Sequence, residues 1–252
     1  MRKRCSSLSP LMLATLATLG LGACVFGFRG EVSFANEANL AGVETIRLEL
    51  PPTDLTLAGE ASRSFIDWSG TWRALGGGAN DALERARAAE LRWETWEQVG
   101  RLSAFIPLDT RDHTSLASLE VESASYLAHE IVGAGSVFIS GVDAFVSVDL
   151  EGGDVEILGG TEQLVVNTEQ GNIELTTSAA VDVYSGFGGV IVRSEAARDI
   201  EIEDAGEIRV GLEGADHLGS GSYRRTLGTG AQTLRVRAGG GRVELATAPD
   251  AN

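Results

Sequence analysis

Lysine is nearly missing from this sequence. Lys3 is the only one, so no lysine remains beyond the first few residues for the Gly-x-x-x-x-Gly-Lys loop that cradles phosphates. Histidine is almost as scarce. His113, His129 and His217 lie far apart, with neither H-x₃-H spacing nor cysteines beside them, which excludes a zinc site by pattern; each reads as a surface or turn residue. No nucleophile elbow is present, and the glycine-rich stretches read as turns. Basic residues are short as well, 20 against 36 acidic. Nucleic acid and anionic headgroups both call for a basic face, so neither is an expected partner. There is also no apolar run of about 20 residues, the length a membrane-crossing helix needs.

A shorter apolar run does stand at the front. Arg2, Lys3 and Arg4 precede Leu11 to Leu21, interrupted only by Thr15 and Thr18, which is the anatomy of an export signal. The following Leu21-Gly22-Ala23-Cys24 resembles the lipobox of bacterial lipoproteins. That resemblance implies diacylglycerol on the Cys24 sulfur, cleavage before it, and acylation of the new amino terminus. Two or more acyl chains make a stable anchor where one does not. Val25 is not the aspartate that resembles an inner-membrane retention signal, so the expected location is the cell envelope, in the outer membrane if the host has one. Processing after residue 23 removes Cys5 and three basic residues and leaves 17 basic against 36 acidic residues, a formal charge of −19. The remaining cysteine is the lipid site. No disulfide or thiolate metal site can then form within the chain, and stability must come from packing and hydrogen bonds.

The second half of the sequence repeats. A small residue, a variable one and then apolar-x-apolar recur as Ala117-Ser118-Leu119-Glu120-Val121, Gly135-Ser136-Val137-Phe138-Ile139 and Gly153-Asp154-Val155-Glu156-Ile157. Gly171-Asn172-Ile173-Glu174-Leu175, Gly188-Gly189-Val190-Ile191-Val192 and Gly206-Glu207-Ile208-Arg209-Val210 continue the series at about 18 residues per step. A further copy, Gly241-Arg242-Val243-Glu244-Leu245, follows about two periods later. Midway between copies lies a second apolar-x-apolar pair, among them Val146/Val148, Leu164/Val166, Val181/Val183, Ile200/Ile202 and Leu234/Val236. Alternation at period two marks a strand with one buried face. Each unit therefore holds two short strands that bury their apolar stripe only by stacking on like units. This predicts a mainly β fold, a parallel β-solenoid over 117–248, with 211–232 an irregular insertion and 249–252 a tail. A meander of hairpins would show the same alternation; recurrence of like residues one period apart favours the solenoid.

Ahead of the repeats, residues 24–42 read as anchor, linker and first strand, and 43–116 as a small α+β cap. Thr45–Leu50, Asp54–Ala58 and Ser64–Trp72 alternate as strands. Asp81-Ala82-Leu83-Glu84 resembles a capping box opening a short helix, and Leu91–Trp96 and Arg101–Ile106 follow as strands. All four tryptophans lie here. Core is the expected place for them, a sugar-stacking platform the alternative. Trp93 and Trp96, of opposite parity, cannot share one strand face.

With the Gly-Asp-Val-Glu-Ile and Gly-Asn-Ile-Glu-Leu repeats and the opening Leu40-Ala41-Gly42-Val43-Glu44-Thr45-Ile46-Arg47-Leu48, the chain is similar over 40–248 to the putative-adhesin family of bacterial β-solenoid domains of unknown function. The resemblance implies a fold and a surface location, and no catalytic residues. Glu156 and Glu174 should stack on adjacent rungs, repelling by only about 1 kcal/mol in water, which needs no cation. Phe138, Ile191 and Arg209 interrupt that ladder, and Gly152-Gly153-Asp154 occurs once rather than as the repeated turn of calcium-binding rolls. No cofactor and no metal is expected, and no enzyme. The favoured ligand-binding residues are Tyr223, Arg224 and Arg225, an aromatic and two cations on an acidic chain. The expected role is a non-enzymatic, adhesin-like interaction module anchored through Cys24, with an envelope protein or glycan as partner. The alternatives are carbohydrate binding or cleavage, and an envelope-stress sensor component.

Overall fold

The computed structural model describes residues 27–133, 135–194, 198–212, 215–226 and 232–247. The signal segment and the Cys24 lipobox lie outside the described residues. Nineteen strands belong to one hydrogen-bonded sheet. It opens with β1 (Phe28–Asn39), β2 (Thr45–Glu49), β3 (Asp54–Glu60) and β4 (Phe65–Gly76), followed by helix α1 (Ala79–Ala88). Next come β5 (Glu90–Trp96), β6 (Val99–Phe105), β7 (Thr114–Ala124), β8 (Ala128–Val132), β9 (Val137–Ser140), β10 (Val146–Leu150) and β11 (Val155–Leu158). The remaining strands are β12 (Gln163–Gln170), β13 (Ile173–Thr176), β14 (Ala180–Phe187), β15 (Val190–Arg193), β16 (Arg198–Leu212), β17 (Ala215–Arg225), β18 (Gln232–Arg237) and β19 (Arg242–Ala246).

The repeats do pair in parallel and in register. Val155 stands beside Val137 on one side and Ile173 on the other, and Ile173 beside Val190. On the opposite face Val146, Leu164, Val181 and Leu234 follow one another in the same way. Inward residues thus form four aliphatic columns, all buried: one runs Leu55, Val137, Val155, Ile173, Val190, Val243, Ile208. Stacked β-branched side chains on facing strands make one continuous interior.

The whole is nevertheless not the expected parallel solenoid with a separate cap. It is a large, nearly closed mixed sheet. β1–β4, β4–β7, β5–β6 and β16–β17 pair antiparallel. β16 joins the two faces at one end, its first half pairing with β18 and its second half with β19. Residues 43–116 are not all cap, because β2 and β3 within them are a rung of the stack. β2 lies between β6 and β8, and β3 between β7 and β9.

Rung order therefore departs from chain order at both ends. Copies 117 and 135 are not neighbours, since Leu55 stands between Leu119 and Val137. Copies 188 and 206 are likewise separated by copy 241, with Val243 between Val190 and Ile208. Within the segment read as an irregular insertion, β17 folds back on β16 as the outermost strand of a long hairpin. β16 turns its corner with a bulge at Asp204, which takes φ +56° where other rungs use glycine.

The open end is closed by side chains. Gly100 sits where the column running through Ile46 and His129 would end, and the ring of Trp93 occupies the space a Cβ there would need. Trp93 stacks on Trp68 of β4 with ring centroids 6.1 Å apart, bridging the two faces. Trp68 and Trp72 are buried and Trp96, of opposite parity to Trp93, is 81% exposed. Helix α1 lies on β1 and β4 through Ala82 and Ala86, its backbone so near Gly30 and Gly76 that no larger residue fits at either. The helix starts three residues earlier than expected, with Gly78 as its cap in place of Asp81. Asp81 serves from the first turn instead, accepting the Gly77 N–H at 2.8 Å and pairing with Arg85.

Glycine at the corner is required by close approach as well as by φ. Gly171 has φ +140°, and a Cβ there would strike the Gly153 carbonyl; Gly159 has φ +100° but opens on empty space. Gly171→Ala should cost about 2–4 kcal/mol of unfolding free energy, against about 1 kcal/mol for Gly159→Ala. Urea denaturation of the two variants measures the difference, and equal losses would show that φ alone sets the cost.

Candidate functional site

Alternation turns every second residue of each rung outward, so the outer faces carry the chemistry. On the face formed by β2, β6 and β8, Arg101, Arg47 and Glu130 stand in one row and Glu49 in the next. Arg47 donates to Glu49 at 2.8 Å and to Glu130 at 3.3 Å, and Arg101 also pairs with Glu49. Partial burial alone would raise the Glu49 pKa, but Arg101 and Arg47 hold it below the usual carboxylate value. Farther along the same face Arg235 reaches Glu201 at 3.1 Å, and Arg237 reaches Glu203 at 2.7 Å. Such exposed pairs add little stability each. Their consequence is that most of the arginines on this face are already matched.

The opposite face carries the carboxylate ladder. Glu156 and Glu174 are direct neighbours, flanked by Phe138. Arg193 of β15 pairs with Glu174. Asp54, Asp154 and Asn172 join them around a shallow groove of about 350 Å³. Asp154 is committed to the corner, where its Oδ1 accepts the Asn172 N–H at 2.7 Å; Asn172 Oδ1 in turn accepts the Gly189 N–H at 3.0 Å. Among the described residues no group of three His, Cys, Asp or Glu is placed to hold a metal ion.

The three residues expected to bind a ligand lie on β17. Tyr223 is half-buried and stacks on His217 at 4.4 Å, and Arg224 pairs with Glu201. The predicted loop is a strand, and one of its two cations is neutralised by the neighbouring strand. Arg225 has no carboxylate partner among the described residues, and Leu218 on the same hairpin is 74% exposed.

Two features differ from what the sequence led one to expect. A cleft of about 780 Å³ lies at the corner between the β2–β3 turn and the β6–β7 connection, with Pro51, Pro52 and Ile106 as apolar wall and Arg47 and Arg111 at its rim. Residues brought together from three distant segments leave no local signal. The other is His129, read as a surface residue and found fully buried. It occupies a core position between Ile46 and Val146, with Ser123 Oγ 2.9 Å from its Nε2. Its alternation with Ile131 was the signal available, since both share the parity of the inward face.

The sequence matches no known family profile and no curated protein. Among solved structures, a putative cell adhesion protein from Clostridium sporogenes aligns at 13% identity over 86% of this chain and all of its own, TM-score 0.49. A putative lipid binding protein from Parabacteroides distasonis aligns at 9% identity over 86% of this chain and 97% of its own, TM-score 0.32. A putative adhesin from Bacteroides fragilis aligns at 8% identity over 85% and 97%, TM-score 0.30. No residue's role is carried across from any of them.

Burial disfavours the charged imidazole and lowers the His129 pKa from 6.5 to about 4. The unfolded chain then takes up a proton between pH 6.5 and 4 that the folded chain refuses. Stability present above pH 6.5 is lost as pH falls toward 4, by on the order of 3 kcal/mol. Replacing Ser123→Ala together with His129→Leu removes the hydroxyl and both ring nitrogens. Denaturation from pH 7 to 4 should then show a smaller fall than in the parent, and parallel curves would count against a neutral buried imidazole.

Proposed function

We propose that this chain is a lipid-anchored, non-enzymatic interaction module of the bacterial cell envelope that displays the β16–β17 hairpin away from a membrane. The observation that carries the reading is the order of strands across the stack. From β1 the ladder runs through β4, β7, β3, β9, β11, β13, β15, β19 and β16 to β17. Ten strand spacings of about 4.8 Å, roughly 48 Å measured along the sheet, lie between β1 and the hairpin. The lipobox ends at Cys24, four residues before Phe28, the first residue of β1. An anchor at one end and a hairpin at the other make the stack a spacer. Arg225, without a carboxylate partner among the described residues, and the exposed Leu218 supply a cation and an apolar side chain on β17 beside the half-buried Tyr223, a combination suited to an envelope protein or a glycan.

A second reading rests on the groove around Phe138. An aromatic ring beside the Glu156–Glu174 pair is a surface on which a sugar could stack while its hydroxyls donate hydrogen bonds to the carboxylates.

Two measurements test these readings. Cys24→Ala should abolish incorporation of an alkyne fatty acid and move the protein from the membrane to the soluble fraction; an unchanged distribution would remove the anchor. A photo-crosslinking residue at Leu218 should give partner adducts in whole cells where one at Glu156 does not. Adducts at Glu156 alone would favour the groove.

A further inference from the structure

The anchoring thiol constrains more than attachment. Four residues of fully extended chain span at most about 14 Å, so if Cys24 is acylated, Phe28 lies within that distance of the headgroup boundary. What surrounds Phe28 is then what faces the lipid. β1 pairs there with the end of β4, Phe28 opposite Gly76 and Arg29 opposite Leu75, and Ala74 of β4 pairs with Thr114 of β7. The three strand ends form one corner of the sheet.

That corner differs from the rest of the surface. Phe28 is 56% exposed and Leu75 is 48% exposed, at the strand ends on opposite faces of the sheet, since Phe28 pairs with Gly76 and Arg29 with Leu75. A small hollow of about 210 Å³ beside them is lined by Arg29, Arg73, Asp112 and His113. Arg73 is matched by Glu31 at 2.9 Å, and Arg29 has no carboxylate partner among the described residues. Arg29 and Arg73 against Glu31 and Asp112 leave the corner balanced in charge, on a chain of formal charge −16. An anionic membrane surface repels the acidic remainder and not this corner. The general shortage of basic residues thus says little about the one place that must meet headgroups.

We infer that this corner is a second bilayer contact, with Phe28 and Leu75 seated at headgroup level in the membrane that holds the Cys24 acyl chains, and Arg29 beside lipid phosphates. This rests on the anchoring reading above and adds an orientation to it. Apolar side chains within reach of a covalent anchor need little affinity of their own, because tethering supplies the effective concentration. The stack then stands away from the lipid with the β16–β17 hairpin outermost.

The test uses the full-length processed protein in vesicles of phosphatidylcholine and phosphatidylglycerol that contain a headgroup-proximal doxyl lipid. Once Cys24 is acylated, a cysteine introduced at Leu75 or Leu218 is the only free thiol and takes a fluorophore. The label at Leu75→Cys should be quenched severalfold more than the label at Leu218→Cys, and adding Phe28→Ser to Leu75→Cys should reduce the difference. Equal quenching at both positions, in protein whose Cys24 acylation is established by mass spectrometry, would overturn the orientation alone. A Cys24 found unmodified would overturn the anchoring reading and this inference with it.

Discussion

The stack depends on how closely its corners approach. Gly135, Gly153, Gly171, Gly188 and Gly241 succeed one another along one edge, and a Cβ on each of the last four would collide with the carbonyl of the preceding glycine. Strand hydrogen bonds alone allow rungs to slip by two residues without changing which side chains face inward. A column of corners that tolerate no Cβ does not. It places the turn of each rung directly on the turn before, and the Asp154–Asn172–Gly189 ladder of side-chain to backbone hydrogen bonds fixes the residue that follows. With corners in register, Val, Ile and Leu fall into columns and the interior closes without cavities being left by staggered neighbours.

The same constraint explains which parts of the fold were legible in the sequence. Glycine followed by a variable residue and apolar-x-apolar is the requirement of one rung written in residues, so strand positions, inward parity and the pairing of Glu156 with Glu174 could be read directly. Trp93 and Trp96 were separable by parity for the same reason. Order was not legible. The rung at 241 satisfies the same corner and the same columns as the one at 206, so either can stack on the rung at 188, and periodicity along the chain favours the one that does not. What decides is at the margins: β16 runs 15 residues, with a bulge and a positive φ at Asp204 ahead of its corner glycine, Gly206. A strand of that length can bridge two faces and carry a hairpin, and a regular rung cannot.

Both ends use this exchange. The first rung in sequence, β2 and β3, is covered by β6 and β7, and the last, β18 and β19, is covered by β16. An exposed terminal rung would offer a full row of unpaired backbone groups and an uncovered apolar layer. Tucking each terminal rung beneath an earlier or later one replaces that edge with an antiparallel hairpin, β16–β17 at one end and β5–β6 with β4 and β1 at the other. Closing the stack with its own chain also lets the two ends differ in composition, and here they do. One end is dense in tryptophan and alanine and holds the start of β1; the other presents Tyr223, Arg224 and Arg225.

Buried polarity shows how far the interior can depart from its pattern. Ser123 and His129 face each other from two sides of the core, in a column otherwise filled by Ile46, Val146, Leu164 and Val181. The imidazole there is hydrogen-bonded through Nε2 alone, its Nδ1 being buried without a partner, and the cost of desolvating its charged form is what depresses its pKa. The signal for this was parity, the same signal that placed every aliphatic residue, but scarcity and isolation in sequence made His129 look like a surface residue. In a fold where position within the rung determines environment, that position is stronger evidence about a side chain than its type.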